Sequence, residues 1–409
     1  MVRYLLGAFL LLVNLTSYFV MLNTGQLVGD VVGFPVQDFF MLTVSLLTVL
    51  ISYYFFLFPL FNLFLKFNFK TLRTKHPEKV EHRLGLLIFI FQIIFIAFNL
   101  FYGVNIAGSG NERASTSFSI FWVFFPIDML FIIYYGCYRD SKYFKINGIV
   151  ALVSFITRGQ AGILLLFAFM ELSKAYREKK ISLNKIFVFF IIILVSYPFI
   201  NILKFAFRLY FGGTDNAGLD SYVVELFTSS QSEGYFQSFI IGIEHLLYRF
   251  QIVSIVTEIY RLSDTLMPLY EQNVFFPFWL EGLHGLMLDK IFDEPRRYPL
   301  GTIFTSVGNF NWNFEVGTWN VNPGLAGWLL INHLWAAFVF IYTLFLCFIS
   351  VFLFRLLGGG SSLKDILWFT WAFYLLPGWL GVFVLFIYSL ALFIFLKFLV
   401  TLLPRLVLK

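Results

Sequence analysis

Arg158 is the residue in this chain whose setting most demands a chemical explanation. It lies in Ser154-Phe-Ile-Thr-Arg158-Gly159-Gln-Ala-Gly162, in the middle of an otherwise apolar run from Ile146 to Leu172. Basic residues flank that run on both sides: Arg139, Lys142 and Lys145 before it, Lys174, Arg177, Lys179, Lys180 and Lys185 after it. Lysine and arginine concentrate on the cytoplasmic side of a membrane, so both ends are expected there. Each arm of about 12–14 residues then reaches only about 18–21 Å into a hydrocarbon core of about 30 Å. The spacing therefore predicts a short helical hairpin with Arg158 at its tip, facing a water-filled cavity. A permanent cation in that position suits stabilisation of an anion better than proton transfer. A purely structural ion pair is the alternative reading.

Other residues could extend such an anion site. Lys204 and Arg208 stand four residues apart near the far end of the following apolar segment, where the positive-inside rule disfavours them. Snorkelling to the interface would also account for them. Between residues 208 and 323 the basic residues are Arg208, Arg249, Arg261, Lys290, Arg296 and Arg297, nearly all arginine, whose planar fork matches phosphate oxygens. Residues 236–262 read as a long amphipathic helix lying at the outer surface, carrying Glu244, His245 and Arg249. Here Arg249 would hold a phosphate and Glu244 or His245 would act as general base, unless both simply form an exposed polar face. Trp312, Trp319 and Asn322 sit among further asparagines before Pro323-Gly324, a composition suited to stacking on sugars or to an interfacial aromatic belt.

The elements that must position these residues are membrane helices. Hydrophobic residues make up 59% of the 409 residues and charged ones 13%, against about 45–50% and about 25% in soluble proteins. Long apolar runs without period-two alternation predict an all-α polytopic membrane protein, not a barrel. The expected spans are 4–22, 39–65, 85–107 and 118–138, the hairpin 146–157/159–173, then 186–207 and 324–354. A last block, 365–403, is broken by Pro377-Gly378. This makes about ten transmembrane helices, short hairpin helices included, in one integral membrane domain covering 1–409. Residues 208–323 are expected to form a large, mostly helical extracytoplasmic loop that holds 13 of the 23 acidic residues. The loop at 66–84 is basic and the one at 23–38 has no lysine or arginine, which predicts cytoplasmic N- and C-termini. The first apolar stretch is too long for a cleavable signal and reads as a span. The net charge of +6 belongs to these short loops and does not indicate nucleic acid. Cys137 and Cys347 fall within spans, and no metal-ligand spacing is present. No internal repeat is evident, and Gly358-Gly-Gly-Ser-Ser362 reads as a linker.

Several of these motifs together resemble one family. Thr157-Arg158-Gly159 at a hairpin tip, Lys204 and Arg208 ending the next span, Arg249 in the loop and Pro295-Arg296-Arg297 later all fit its pattern. So does Pro323-Gly324-Leu-x-Gly327 opening the return span. Over roughly residues 146–335 the chain resembles the Wzy-type polymerases of lipid-linked oligosaccharide repeat units and, more distantly, the O-antigen ligases. The resemblance implies a metal-independent glycosyltransferase without cofactors in the bacterial inner membrane. Its donor would be an undecaprenyl-diphosphate-linked oligosaccharide, attacked at the anomeric carbon by a hydroxyl of an acceptor unit. Arg158, Arg249, Glu244 and His245 would be catalytic, and Lys204, Arg208, Arg296, Arg297, Trp319 and Asn322 would bind diphosphate and glycan. A chain-length regulator is an implied protein partner, alongside the bilayer itself.

Two other classes compete. A GT-C-type mannosyltransferase would want an acid in the first outer loop, where Asp30 and Asp38 lie, yet it leaves the arginines unexplained. A lipid-linked oligosaccharide flippase or other transporter would carry charges at the midplane, Asp128 among them, and would not need the long outer segment.

Overall fold

The computed structural model describes residues 1–71, 77–106, 117–160, 162–212, 240, 243–244, 246–295, 297–308 and 321–406. Among these residues all regular structure is helical. The first part of the chain forms α1 (Val2–Thr24), α2 (Phe39–Phe64), α3 (Pro77–Tyr102), α4 (Ser117–Phe124) and α5 (Ile127–Cys137). The hairpin helices α6 (Phe144–Thr157) and α7 (Gly162–Arg177) follow, then α8 (Leu183–Gly212). Four short helices come next: α9 (Val253–Arg261), α10 (Ser263–Glu271), α11 (Leu283–Ile291) and α12 (Leu300–Val307). The chain ends with α13 (Gly324–Ile331), α14 (His333–Leu356), α15 (Ser361–Thr370, continued by a π turn, Trp371–Leu375) and α16 (Leu380–Leu406).

Six stretches of the described residues are long and apolar enough to cross a membrane: Val2–Thr24, Phe39–Phe64, Pro77–Tyr102, Phe118–Cys137, His333–Leu356 and Leu380–Leu402. This is an all-helical membrane protein. The expectation of about ten helices counted the two hairpin arms and the first half of the last block, and α6, α7 and α15 are too short to span. Local chemistry also breaks two of the expected stretches. The stretch 118–138 divides at Pro126, whose ψ of 81° leaves the helical region. The stretch 324–354 divides at Asn332, which adopts an extended backbone and accepts a hydrogen bond from the Leu334 N–H at 2.9 Å. An asparagine that caps the next helix in this way competes with helix continuation.

The expected amphipathic helix 236–262 also divides, and its second half is not at a surface. Asn14 of α1 reaches into the break: its Oδ1 accepts from the Ile252 N–H at 3.0 Å, and its amide donates to the Phe250 carbonyl at 3.4 Å. Gln251 Oε1 accepts from the Ser254 N–H at 3.2 Å, restarting the chain as α9. Val253 to Ile259 are then buried without interruption, against α2 and α13. The helices read as part of a large outer loop thus pack into the bundle. α10 rests on α12 and α13, and α11 on α16.

Two breaks singled out in the sequence meet each other. The Gly324 and Leu325 N–H groups, at the first turn of α13, donate to the Pro377 and Leu376 carbonyls at 2.9 Å each. The start of α13 is therefore tied to the end of α15, and backbone groups left open at both breaks are satisfied mutually.

Candidate functional site

α6 and α7 are 14 and 16 residues long, too short to span, and they meet in a tight turn. Gly159 has a φ of 64°, and the Gly159 and Gln160 N–H groups bond back to the Ile156 and Phe155 carbonyls. A residue with a Cβ would strain that left-handed position. α6 lies on α3, where Asn147 donates to the Gly85 carbonyl at 3.0 Å, and α7 lies on α1 and α15. The hairpin with Arg158 at its tip, expected from charge and length, is present.

The surroundings of Arg158 differ from the expectation. Its residue is 4% exposed, not open to a water-filled cavity. The guanidinium lies 2.8 Å from Asp128 Oδ2, with Nη2 not aligned as a hydrogen-bond donor. Its Nε donates to the Ser154 carbonyl at 2.9 Å, and the rings of Phe155 and Phe95 flank it at 4.7 and 5.1 Å. Asp128 stands in the first turn of α5, a position a helix dipole favours for an acid. α5 is enclosed by α3, α6, α15 and α16, and Leu130 to Gly136 are all buried. A guanidinium held this deep needs a counter-charge, and Asp128 supplies it.

The same pattern recurs at three arginines of residues 208–323. Arg249, in the turn before α9 and half exposed, has Nη1 3.3 Å from Asp30 Oδ1. Arg261 bonds to Glu258 at 2.6 Å. Arg297 pairs with Asp289, its Nε 3.3 Å from Oδ2, over the ring of Phe276. The sequence reading took these cations as free for phosphate, whereas each already holds a carboxylate. Arginine and carboxylate match by the same fork geometry that matches phosphate, so an acid can occupy the seat an anionic ligand would take.

The remaining candidates are distributed as follows. Glu244 is exposed, and Asn322 is half-buried in the turn before α13. His245, Arg296, Trp312 and Trp319 lie outside the described residues, and for Lys204 and Arg208 the description covers only the backbone of α8. Among the described residues no hydrogen bond, ion pair or ring contact joins Arg158 directly to Arg249, Arg297 or Asn322. Arg158 and Arg249 are related through the π turn that ends α15. Phe250 packs edge-on against Phe373 at 6.0 Å, and the next residue, Tyr374, is within electrostatic reach of Asp128.

Sequence reasoning named Asp128 and Asp30 only for the competing readings and missed them, with Asp289, as partners of the arginines. The signal for Asp128 was its place as the only acidic residue in the apolar stretch 118–138, which makes it the natural counter-charge for a buried cation. No group of three or more His, Cys, Asp or Glu that could hold a metal ion occurs among the described residues. Comparison with known proteins gives no match: no family profile, curated protein or solved structure is similar to the chain.

Proposed function

We propose that the protein is a membrane glycosyltransferase that polymerises lipid-diphosphate-linked oligosaccharide repeat units, with undecaprenyl diphosphate as the leaving group. In this reading it is a multi-pass protein of a bacterial inner membrane with cytoplasmic termini, and much of 208–323 serves the extracytoplasmic side. The observation that carries the proposal is Arg158, held at the tip of a non-spanning hairpin by Asp128 and two phenylalanine rings. A hydroxyl oxygen of one repeat unit bonds to the anomeric carbon of another, its proton passing to a general base for which Glu244 and His245 are the candidates. The bond from that carbon to the diphosphate breaks, and the electron pair leaves with the lipid diphosphate. Arg158 stabilises that developing charge after exchanging Asp128 for phosphate oxygen, a preorganised electrostatic role. Arg249 and Arg297 would orient the glycans or the diphosphate by the same exchange, and a chain-length regulator would act alongside.

A transporter of lipid-linked oligosaccharide is the second reading, favoured by the same Arg158–Asp128 pair, because intramembrane ion pairs also mark transport pathways. Purified protein in vesicles, given a lipid-diphosphate repeat unit, separates the two. Covalent products in a ladder of lengths support the transferase. Movement of unaltered substrate between leaflets, with no new glycosidic bond, supports the transporter.

A further inference from the structure

A cleft of about 640 Å³ opens where α7 gives way to α8, and its charge is of one sign. Arg177, Lys179, Lys180 and Lys185 line it, with Tyr176 and Ile181, and among the described residues no carboxylate does. Two acids stand close by, and each is shared between two cations. Asp365 of α15 bonds to Arg177 and lies 3.4 Å from Arg3. Glu178 lies 2.5 Å from Lys180 and 3.9 Å from Lys174. Lys179 and Lys185 are exposed, and among the described residues neither ammonium has an ion pair or hydrogen bond. The acids therefore leave the cleft positively charged.

The backbone brings the two free lysines to the same place from either side. α7 ends at Arg177, where the Lys180 and Lys179 N–H groups donate back to the Ala175 and Tyr176 carbonyls at 2.9 and 3.1 Å. This closure sets Lys179 in the left-handed region, at a φ of 56°. Glycine is the usual residue at such a helix end. A lysine there accepts backbone strain and gains an ammonium at the rim of the cleft. α8 then starts at Leu183. Lys185, Val188, Ile192 and Val195 follow at spacings of three and four residues and so share one face of it. All four are exposed. That face begins with a cation at the cleft and continues as apolar surface for ten residues, about 15 Å of helix.

Lysines after an apolar arm are expected on grounds of topology alone. That rule accounts for their number but not for their convergence, since like charges repel and solvated side chains are free to spread apart. Nor does it call for a lysine where glycine is the easier residue. We propose that the cleft is a binding site for an anionic phospholipid of the leaflet it faces. Lys179 and Lys185 hold the phosphate, and an acyl chain lies along Val188, Ile192 and Val195. Basic pockets between membrane helices recognise head groups of this kind. A free phosphate would satisfy the lysines but leave the apolar stripe without a role, so cleft and stripe together select a phospholipid. The bound lipid joins α7 to α8 at the base of the hairpin that carries Arg158 at its tip. The site is independent of whether the protein transfers or transports its substrate.

The test is native mass spectrometry of the full chain in detergent micelles, titrated with phosphatidylglycerol or with phosphatidylcholine. Wild type is expected to retain one phosphatidylglycerol per chain in preference to phosphatidylcholine. Lys179→Gln with Lys185→Gln should weaken that binding about 30-fold, at about 5-fold for each lysine. Lys66→Gln with Lys70→Gln removes the same charge from another basic loop and should leave the binding unchanged. Lys179→Gly suits the left-handed backbone, so it should unfold at no lower temperature than wild type and still bind about 5-fold more weakly. Glycerol phosphate, which lacks the acyl chains, should compete at least about 100-fold less well than the lipid. Wild-type affinity in the K179Q/K185Q protein overturns the proposal, as does a lack of preference over phosphatidylcholine. Equal weakening by the two double variants overturns it in favour of diffuse charge. Glycerol phosphate competing as well as the lipid overturns it in favour of a site for phosphate alone.

Discussion

Replacing Asp128 with asparagine should have opposite effects on folding and on anion binding. At the 2.8 Å separation of the charged atoms, the attraction is about 6 kcal/mol for an effective dielectric near 20. Desolvation of both ions offsets much of that in the native protein, so the pair is not a large net stabiliser. Asparagine removes the attraction and leaves the Arg158 guanidinium buried without a counter-charge. Breaking buried pairs costs about 3–5 kcal/mol. The Asp128 side chain is 23% exposed against 5% for Arg158, so screening lowers the expected loss to about 2–4 kcal/mol. Reversible unfolding in lipid–detergent micelles of wild type, D128N, R158M and the double variant gives the coupling directly. The account expects a coupling of about 1–3 kcal/mol, with the double variant more stable than D128N alone. D128N should also bind inorganic pyrophosphate more tightly than wild type, since the seat on Arg158 is vacated. A coupling near zero would refute the buried pair. Unchanged or weaker pyrophosphate binding would refute the idea that Asp128 occupies an anion seat.

Three further outcomes follow from the packing. Asn14→Leu leaves the Ile252 N–H and Phe250 carbonyl without their side-chain partner, and should cost about 1–3 kcal/mol, read by unfolding and by protease cutting near residue 250. Gly378→Ala places a Cβ 2.4 Å from the Gly324 nitrogen, so the α13–α15 junction should fail and folded yield in detergent should fall sharply, whereas Gly148→Ala, with open space around it, should not change yield. Because the folded Glu281 carboxyl is raised from 4.5 to about 8, stability from that group is fully present below pH about 4.5 and declines as pH rises to about 8. E281Q should remove that part of the pH dependence, and a stability profile identical to wild type would contradict it.

The hairpin was legible in the sequence because its evidence is local: basic residues at both ends and arms too short to cross. The choice of helical membrane architecture was legible for the same reason, from run length and composition. What holds Arg158 was not, because Phe95 and Asp128 come from helices that only the assembled bundle brings beside the tip. The division of residues 236–262 was hidden in the same way. Val253 to Ile259 keep helical spacing, and the break before them depends on Asn14, far away in the chain. Asn332 ends one helix by capping the next, a role its apolar neighbours conceal. The free-arginine expectation failed on a general point: composition shows charges but not their partners, and here Asp30, far away in the chain, and Asp289, in the helix just before Arg297, complete the pairs. The burial of Glu281 was hidden too, because nothing in Trp279-Leu-Glu281-Gly282 marks the carboxyl as buried.

The central claim is that Arg158 stabilises a departing lipid diphosphate. Its most direct measurement is single-turnover transfer by purified Arg158→Ala and wild-type protein in nanodiscs, with a lipid-diphosphate-linked repeat unit as both donor and acceptor. The account predicts a ladder of products from wild type. It predicts a rate at least about 100-fold lower from R158A, at equal amounts of folded protein. A ladder from R158A formed at the wild-type rate would contradict it.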